Sequence, residues 1–151
     1  MARFRYSMQS ILDIKLKMET QAKQEFSAAR AALDEEEARL AKLEDRKRAY
    51  EREAARLRSG ALNFRDMNEN KVAIQCMDNF ILDQKLCVKK AEDALEQARI
   101  KLAEVMMERK THESLKEKAF DEFLREENRR EGKEVDELTS YTYGQKNSVR
   151  A

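Results

Sequence analysis

The sequence predicts an all-α protein, a long antiparallel two-helix coiled-coil hairpin with an overhanging C-terminal helix. The chain has 151 residues with no Pro, no Trp and only 3 Gly, so it has few residues that form turns. Charged residues make up 40% of the chain, a composition typical of coiled coils and long helices. Two heptad repeats flank a single turn signal. A globular α/β or all-β fold is therefore close to excluded.

The first arm is expected over about residues 8–58. Residues 22–57 follow a heptad whose apolar seam is broken only by Glu36 and Lys47. Its a positions are Phe26, Leu33, Leu40, Lys47 and Ala54, and its d positions are Ala22, Ala29, Glu36, Leu43, Tyr50 and Leu57. Upstream, steps of four residues suggest a stutter that locally unwinds the supercoil. There the seam is expected to run through Met8, Ile11, Ile14 and Met18.

The turn is expected over about 59–63, because Ser59 and Gly60 form the one convincing helix breaker. Asn63, with Asp66 three residues later, has the spacing of a helix N-cap and predicts that the second arm begins at residue 64. The second heptad covers residues 74–105, and Gln84 is its only polar member. Its a positions are Ile74, Ile81, Val88, Leu95 and Leu102, and its d positions are Met77, Gln84, Ala91, Ala98 and Val105.

Two long apolar stripes joined by a short connection bury each other most simply as an antiparallel hairpin. In this register Phe26 faces Ala98, so large residues oppose small ones. The second arm is expected over about 64–143, and its part beyond Phe123 has no opposing residues. We therefore expect a single coiled-coil domain over 1–151 that ends in a frayed tail at 144–151.

The reactive side chains of the chain argue against an enzyme. His112 is the only histidine, and it would lie about 37 Å from Cys87 along a continuous helix, so no Cys–His pair forms within the chain. The three glycines are isolated, so no phosphate-binding loop exists. The acidic run 34–37 points in several directions around a helix. We expect no catalytic residue, no cofactor and no metal site.

The balance of charge also limits the classes of partner that the chain is expected to bind. The 31 basic residues nearly cancel the 30 acidic ones, so the whole chain offers no single-sign field that would attract a nucleic acid or a membrane surface. Uninterrupted apolar runs reach only three residues, whereas a membrane span needs about 20. We expect a cytoplasmic protein that binds no nucleic acid and does not insert into a membrane.

Apolar residues near the hairpin tip exceed what the seam can cover. They are Val72, Cys76, Phe80, Leu82 and Leu86. We interpret them as a patch that binds a partner, although single exposed apolar residues are also common. The facing arm carries a basic cluster, which is either a solvated face or a means of selecting an acidic partner. Its members are Arg46, Lys47, Arg48, Arg52, Arg56 and Arg58.

The N-terminal sequence from Phe4 to Asp13, together with Lys15 to Phe26, resembles the start of the FliJ family of the bacterial flagellar export apparatus. A second stretch is similar to the second arm of the family. It comprises Glu108, Arg109, Lys110, Glu113, Leu115, Lys116 and Lys118. The residues Asp136 to Leu138 are similar to its ending. The layout of two heptad arms, a Gly-containing turn and a charged tail agrees with the family over most of the chain.

The resemblance implies a cytoplasmic, non-enzymatic protein at the flagellar base, peripherally associated with the inner face of the cell membrane. Its implied partners are the hexameric flagellar export ATPase, the export gate protein and the export chaperones. Alternatives are an injectisome stalk protein of the same architecture and a passive coiled-coil spacer.

The resemblance also implies two sets of contact residues. The gate-binding set is Leu43, Tyr50, Met77, Phe80 and Gln84. Four of these are d positions, which favours Phe80 as the residue free to meet a partner. The ATPase-binding set is Arg3, Phe4, Arg5 and Tyr6. This set is expected to lie beside the overhanging helix without an internal partner.

Overall fold

The computed structural model describes residues 2–150 of the chain. It contains two helices, α1 (Gln9–Arg58) and α2 (Phe64–Arg150), and residues 2–150 form no strand. The helices pack against each other as an antiparallel hairpin, which confirms the predicted fold class. Both helices begin close to the expected positions, and α1 ends at the expected residue. The contacts divide the chain into two compact units, one of Thr20–Glu104 and one that combines residues up to Glu19 with those from Val105 onwards. The single coiled-coil domain over 1–151 that the sequence predicts stays a prediction.

The unit 20–104 is a helical hairpin held by the two predicted heptads. All of their a and d positions within this unit are buried or half-buried. The most buried are Ala22, Leu33, Met77 and Ile81, with 2–9% of their surface exposed. An ion pair of 2.6 Å joins Lys47 to Asp78 across the two helices. The heptad periodicity therefore located the core correctly.

The turn at the end of this hairpin is capped as the sequence predicts. The Oδ1 atom of Asn63 accepts hydrogen bonds from the main-chain N–H groups of Arg65 (3.1 Å) and Asp66 (3.3 Å). The carbonyl of Asn63 accepts the first helical bond of α2 from Met67 at 3.0 Å. On the other side of the turn, the Ser59 hydroxyl donates to the Arg56 carbonyl at 2.8 Å. These bonds satisfy main-chain groups that helix ends otherwise leave unpaired.

In the second unit, the predicted upstream seam is wrong. The residues expected there are 38–56% exposed, namely Met8, Ile11, Ile14 and Met18. The side that faces α2 instead holds Leu12 and Glu19, which are 3% and 7% exposed, and the half-buried Lys15. These three residues keep the alternating steps of three and four that define a heptad, so no stutter is needed.

The same unit contains the C-terminal part of α2. All residues from 128 to 147 are exposed, which confirms the overhang. The helix continues to Arg150, beyond the expected end of the arm at 143 and through the segment expected to fray, of which Ala151 lies outside the described residues. A Cβ atom built on Gly132 or Gly144 would meet nothing within 4 Å. The chain has no Pro that would stop the helix.

Candidate interaction surfaces

The hairpin tip concentrates positive charge. Residues 46–71 contain eight basic and four acidic residues, a net charge of +4, whereas the whole chain has +1. Several of these basic side chains form ion pairs with nearby carboxylates. Arg48 pairs with Asp45, Arg56 with Glu53 at 2.5 Å, and Lys47 with Asp78. Three arginines of the tip make no ion pair with any residue that the structure describes. They are Arg46, Arg52 and Arg58.

The ion pairs of the tip shift the pKa values of their members. The hydrogen bond and the charge of Asp78 raise the pKa of Lys47. The hydrogen bond from Arg56 lowers the pKa of Glu53. These groups stay charged at neutral pH, so the tip keeps its excess of positive charge there.

The two faces of the hairpin next to the turn differ in charge. On one face a groove of about 420 Å³ has apolar walls from both helices, Arg58 and Lys71 as its charged residues, and no acidic residue in its lining. On the other face, a groove of about 290 Å³ is lined by three carboxylates together with Arg56. The carboxylates belong to Glu53, Asp66 and Glu69. Between the faces, the Asn70 side chain donates to the Tyr50 carbonyl at 3.0 Å and ties α2 to α1.

Large apolar side chains are exposed around the tip, as the sequence predicts. Four of the expected patch residues lie 49–61% exposed on the outer face of α2, and the thiol of the fifth is also exposed and free. The four are Val72, Phe80, Leu82 and Leu86, and the fifth is Cys76. Two exposed residues in and beside the turn were not expected from the sequence, Leu62 in the turn and Phe64 at the start of α2. Leu62 is 56% exposed and Phe64 is 75% exposed, more than any other large apolar residue in the described part of the chain.

The predicted gate-binding residues do not form one surface. Leu43, Tyr50 and Gln84 are half-buried and Met77 is 7% exposed, because all four point into the seam. Gln84 donates from Nε2 to the carbonyl oxygen of Glu36 at 3.0 Å and to its carboxylate at 2.5 Å. Phe80 is 52% exposed. Phe80 alone of the set is therefore available to a partner without separation of the helices.

The N-terminal segment packs against α2 within its own unit. The ring of Phe4 lies 5.2 Å from the ring of Phe120, edge to face, and 5.3 Å from that of Phe123. Tyr6 is half-buried as well, whereas Arg3 and Arg5 are exposed. The expectation that this segment lacks an internal partner is wrong. The missed signal was the trio of phenylalanines, two of them three residues apart on one helix, since aromatic rings tend to cluster.

Polar residues occupy the interior of this unit. Arg109 donates to Glu19 at 2.6 Å and to Glu113 at 2.8 Å, and these bonds raise the pKa of Arg109. Lys15 pairs with Glu108 at 2.8 Å, and this lysine lowers the pKa of the Glu108 carboxyl. The interhelical ion pairs explain why Lys15 and Glu19 are tolerated in the seam. A search for apolar periodicity overlooks such residues.

Two further properties of the described residues bear on function. None of their helices combines the length and the apolar character that a bilayer span requires. No group of three or more His, Cys, Asp or Glu side chains among them is placed to hold a metal ion.

Comparisons with known proteins identify a family and a solved structure that are similar to this chain. The sequence profile of the family described as "Flagellar FliJ protein" matches residues 4–148. A search of curated proteins finds no match. Among solved structures, a YscO homolog from Chlamydia trachomatis is similar to the chain with a TM-score of 0.65 and 22% sequence identity. The similarity covers 97% of this chain and 99% of that protein.

Proposed function

This chain belongs to the FliJ family of flagellar proteins, and from that premise we propose that it serves the flagellar type III export apparatus as a non-enzymatic stalk. In this role it binds the hexameric export ATPase, links the ATPase to the export gate protein and takes part in recycling export chaperones. It acts in the cytoplasm, peripherally associated with the inner face of the cell membrane at the flagellar base. The match of the family profile over residues 4–148 carries the proposal, because it includes both arms and the overhang.

The exposed helix 128–147 supports the ATPase contact. A helix that packs against nothing in its own chain is free to pack against another protein. Its apolar residues include Val135, Leu138 and Tyr143, which are 59–68% exposed. We assign Arg3 and Arg5 to the same ATPase contact, because both are exposed and belong to the same unit as this helix. Phe4 holds the N-terminal segment against α2 and, with the half-buried Tyr6, contributes to the contact indirectly.

The exposed apolar residues of the tip support the gate contact and argue against a passive spacer, because a spacer needs only its seam. Phe80 is the residue of the gate-binding set that we assign to a direct contact. The remaining four residues support this contact by keeping the two helices paired.

The structural similarity to a YscO homolog favours one alternative, a stalk protein of an injectisome. The flagellar and injectisome proposals predict different phenotypes when the gene is deleted. Deleting the gene should abolish motility and the export of flagellar subunits if the flagellar proposal is right. A strain that stays motile and instead loses the secretion of injectisome substrates would support the alternative.

The ATPase contact is tested by the rate of ATP hydrolysis of the purified export ATPase with and without this protein. Leu138→Asp should lower the stimulation by at least about tenfold, because a charge replaces an apolar side chain at the contact. The control is Gln97→Asp, an exposed substitution elsewhere in α2. Both variants should keep the melting temperature of the parent. Full stimulation of the ATPase by the Leu138→Asp variant would show that the overhang does not take part in the ATPase contact.

A further inference from the structure

The turn of the hairpin presents two large apolar side chains to solvent. Leu62 and Phe64 are 56% and 75% exposed, and Gly60 beside them has open space around its Cα. The turn is capped by Asn63 through its own hydrogen bonds. The cap needs neither apolar side chain, since the Asn63 side chain and main chain supply its acceptors. Leu62 and Phe64 are thus available for a contact outside the chain.

Near these two residues in the sequence lie three basic side chains and two acidic ones, Asp66 and Glu69. Arg58 precedes the turn by one residue and makes no ion pair among the described residues, and the same holds for Lys71 in the second turn of α2. Arg65 has 87% of its side chain exposed and makes only a 3.4 Å contact with Glu69. The balanced charge of the whole chain conceals this local excess, which reaches +4 over residues 46–71.

We propose that the hairpin tip binds the surface of an anionic lipid bilayer, with Leu62 and Phe64 entering the headgroup region and Arg58, Arg65 and Lys71 meeting lipid phosphates. Leu62 lies in the turn and Phe64 begins α2. Arg58 and Arg65 flank them, and Lys71 lies about two helical turns further along α2. Apolar side chains at the end of the hairpin with cations beside and behind them match the layers of a membrane surface, where acyl chains lie beneath anionic headgroups. The contact involves a few side chains, and it does not require a helix that crosses the bilayer.

A bilayer fits these residues better than a protein partner does. The two side chains project from the turn, outside the grooves on either face of the hairpin, so a fluid apolar layer receives them without a shaped pocket. The net charge of +4 over residues 46–71 complements the anionic headgroups. The inference depends on Leu62, Phe64 and the three cations near them. It goes beyond the proposed function, because lipid binding needs neither the export gate nor the ATPase.

The test uses the purified full-length chain and sedimentation with lipid vesicles. Vesicles of phosphatidylcholine alone are compared with vesicles in which about a third of the lipid is phosphatidylglycerol. We expect binding to the anionic vesicles, weak binding to the neutral ones, and a loss of binding as salt screens the charges. Equal binding to both kinds of vesicle, or binding to neither, would overturn the proposal.

Three variants locate the contact. The double variant Leu62→Ser, Phe64→Ser should lower the partition onto anionic vesicles by at least about tenfold, and Phe64→Ser alone should lower it severalfold. The control Met107→Ser replaces a residue of α2 that is 69% exposed, lies 43 residues after Phe64 and belongs to neither the turn nor the apolar patch, and it should bind like the parent. Melting curves of the same samples show that each variant is folded.

A separate arm distinguishes lipid from protein. Binding that occurs only when the vesicles carry the export gate protein, and that is lost in Phe64→Ser, would overturn the lipid proposal and assign the turn to a protein contact. Vesicle binding without any added protein, combined with failed ATPase stimulation, would leave the lipid contact standing and reject the stalk.

Discussion

Gln84 of α2 reaches across the seam to Glu36 of α1 and bonds both its main-chain carbonyl (3.0 Å) and its carboxylate (2.5 Å). The two residues are the polar d positions of their heptads, and each meets the other. Polar residues that satisfy one another inside a coiled coil favour a single register, because any slip leaves both of them unpaired. The pair therefore favours this alignment of the arms in addition to the apolar positions.

Replacing Gln84 with Glu should turn this contact into a repulsion. Two facing carboxylates are expected to destabilise the hairpin by about 1 kcal/mol at neutral pH. Protonation of one of them should restore part of that stability in acid. Thermal melting at several pH values checks this, with Gln84→Met as a neutral control. A Glu variant that is as stable as the parent at neutral pH would show that the two side chains do not meet.

The corrected seam in the N-terminal part of α1 predicts an asymmetry between neighbours. Leu12→Ala should destabilise the protein by about 2 kcal/mol, since Leu12 is 3% exposed. Ile14→Ala removes a side chain that is 56% exposed and should change the free energy of unfolding by less than about 0.5 kcal/mol. Urea denaturation measures both. A larger loss of stability in Ile14→Ala than in Leu12→Ala would instead support the seam expected from the sequence.

Phe80→Asp should weaken binding to the export gate protein by about tenfold while helicity stays unchanged, because the side chain is 52% exposed. Met77→Asp, three residues earlier, places a charge in the core and should lower the melting temperature sharply. Isothermal titration with the gate protein, together with circular dichroism, separates the two effects. Undiminished gate binding by a folded Phe80→Asp protein would contradict the proposed contact.

The ion pair between Lys15 and Glu108 predicts that the stability of the folded protein decreases in acid. Because hydrogen bonding to Lys15 lowers the pKa of Glu108 below its ordinary value of 4.5, the pair stabilises the folded state above that pH. This contribution is lost as the pH falls through the lowered pKa. Both groups are accessible to solvent, so the effect is small.

The measurement for this pair is the melting temperature between about pH 6 and about pH 3. Glu108→Gln should reduce the acid-induced decrease slightly relative to the parent protein. Glu92→Gln, at an exposed position with no ion pair in the described region, should leave the decrease unchanged. Identical pH profiles for the parent and Glu108→Gln would refute the assigned stabilisation.

The sequence predicted the fold where the physical signal was apolar and periodic. The heptads at 22–57 and 74–105 placed the core, because a helix with an apolar stripe must bury it. The cap at Asn63 was also predictable, since its pattern reflects local hydrogen bonds. Both features depend on residues close together in the chain.

The misplaced upstream seam shows where that approach fails. Lys15 and Glu19 are tolerated facing α2 because Glu108 and Arg109 lie opposite them, about ninety residues away in sequence. The partner of a charge in a seam is fixed by the pairing of the arms, which the local pattern does not contain. The contacts of Phe4 escaped prediction for the same reason.

The candidate sites were predicted less well than the fold. Phe80 was correctly favoured as the exposed member of the gate-binding set, because its heptad position lies off the seam. Leu62 and Phe64 were not predicted as exposed contact residues, because they lie between the two heptads and the heptad pattern makes no prediction for that segment. A charge count in short windows along the chain would have found the positive tip that the nearly neutral total hides.

The two glycines of the overhang set how readily that segment is ordered. Each of them favours the coil over the helix by about 1 kcal/mol relative to alanine, and neither Gly132 nor Gly144 has a neighbour that a methyl group would touch. Relative to alanine, the two glycines together lower the stability of this part of α2 by about 2 kcal/mol. The overhang therefore opens locally more often than an alanine-rich helix of the same length would. The composition of the overhang thus sets how often this end of the chain leaves the helical state.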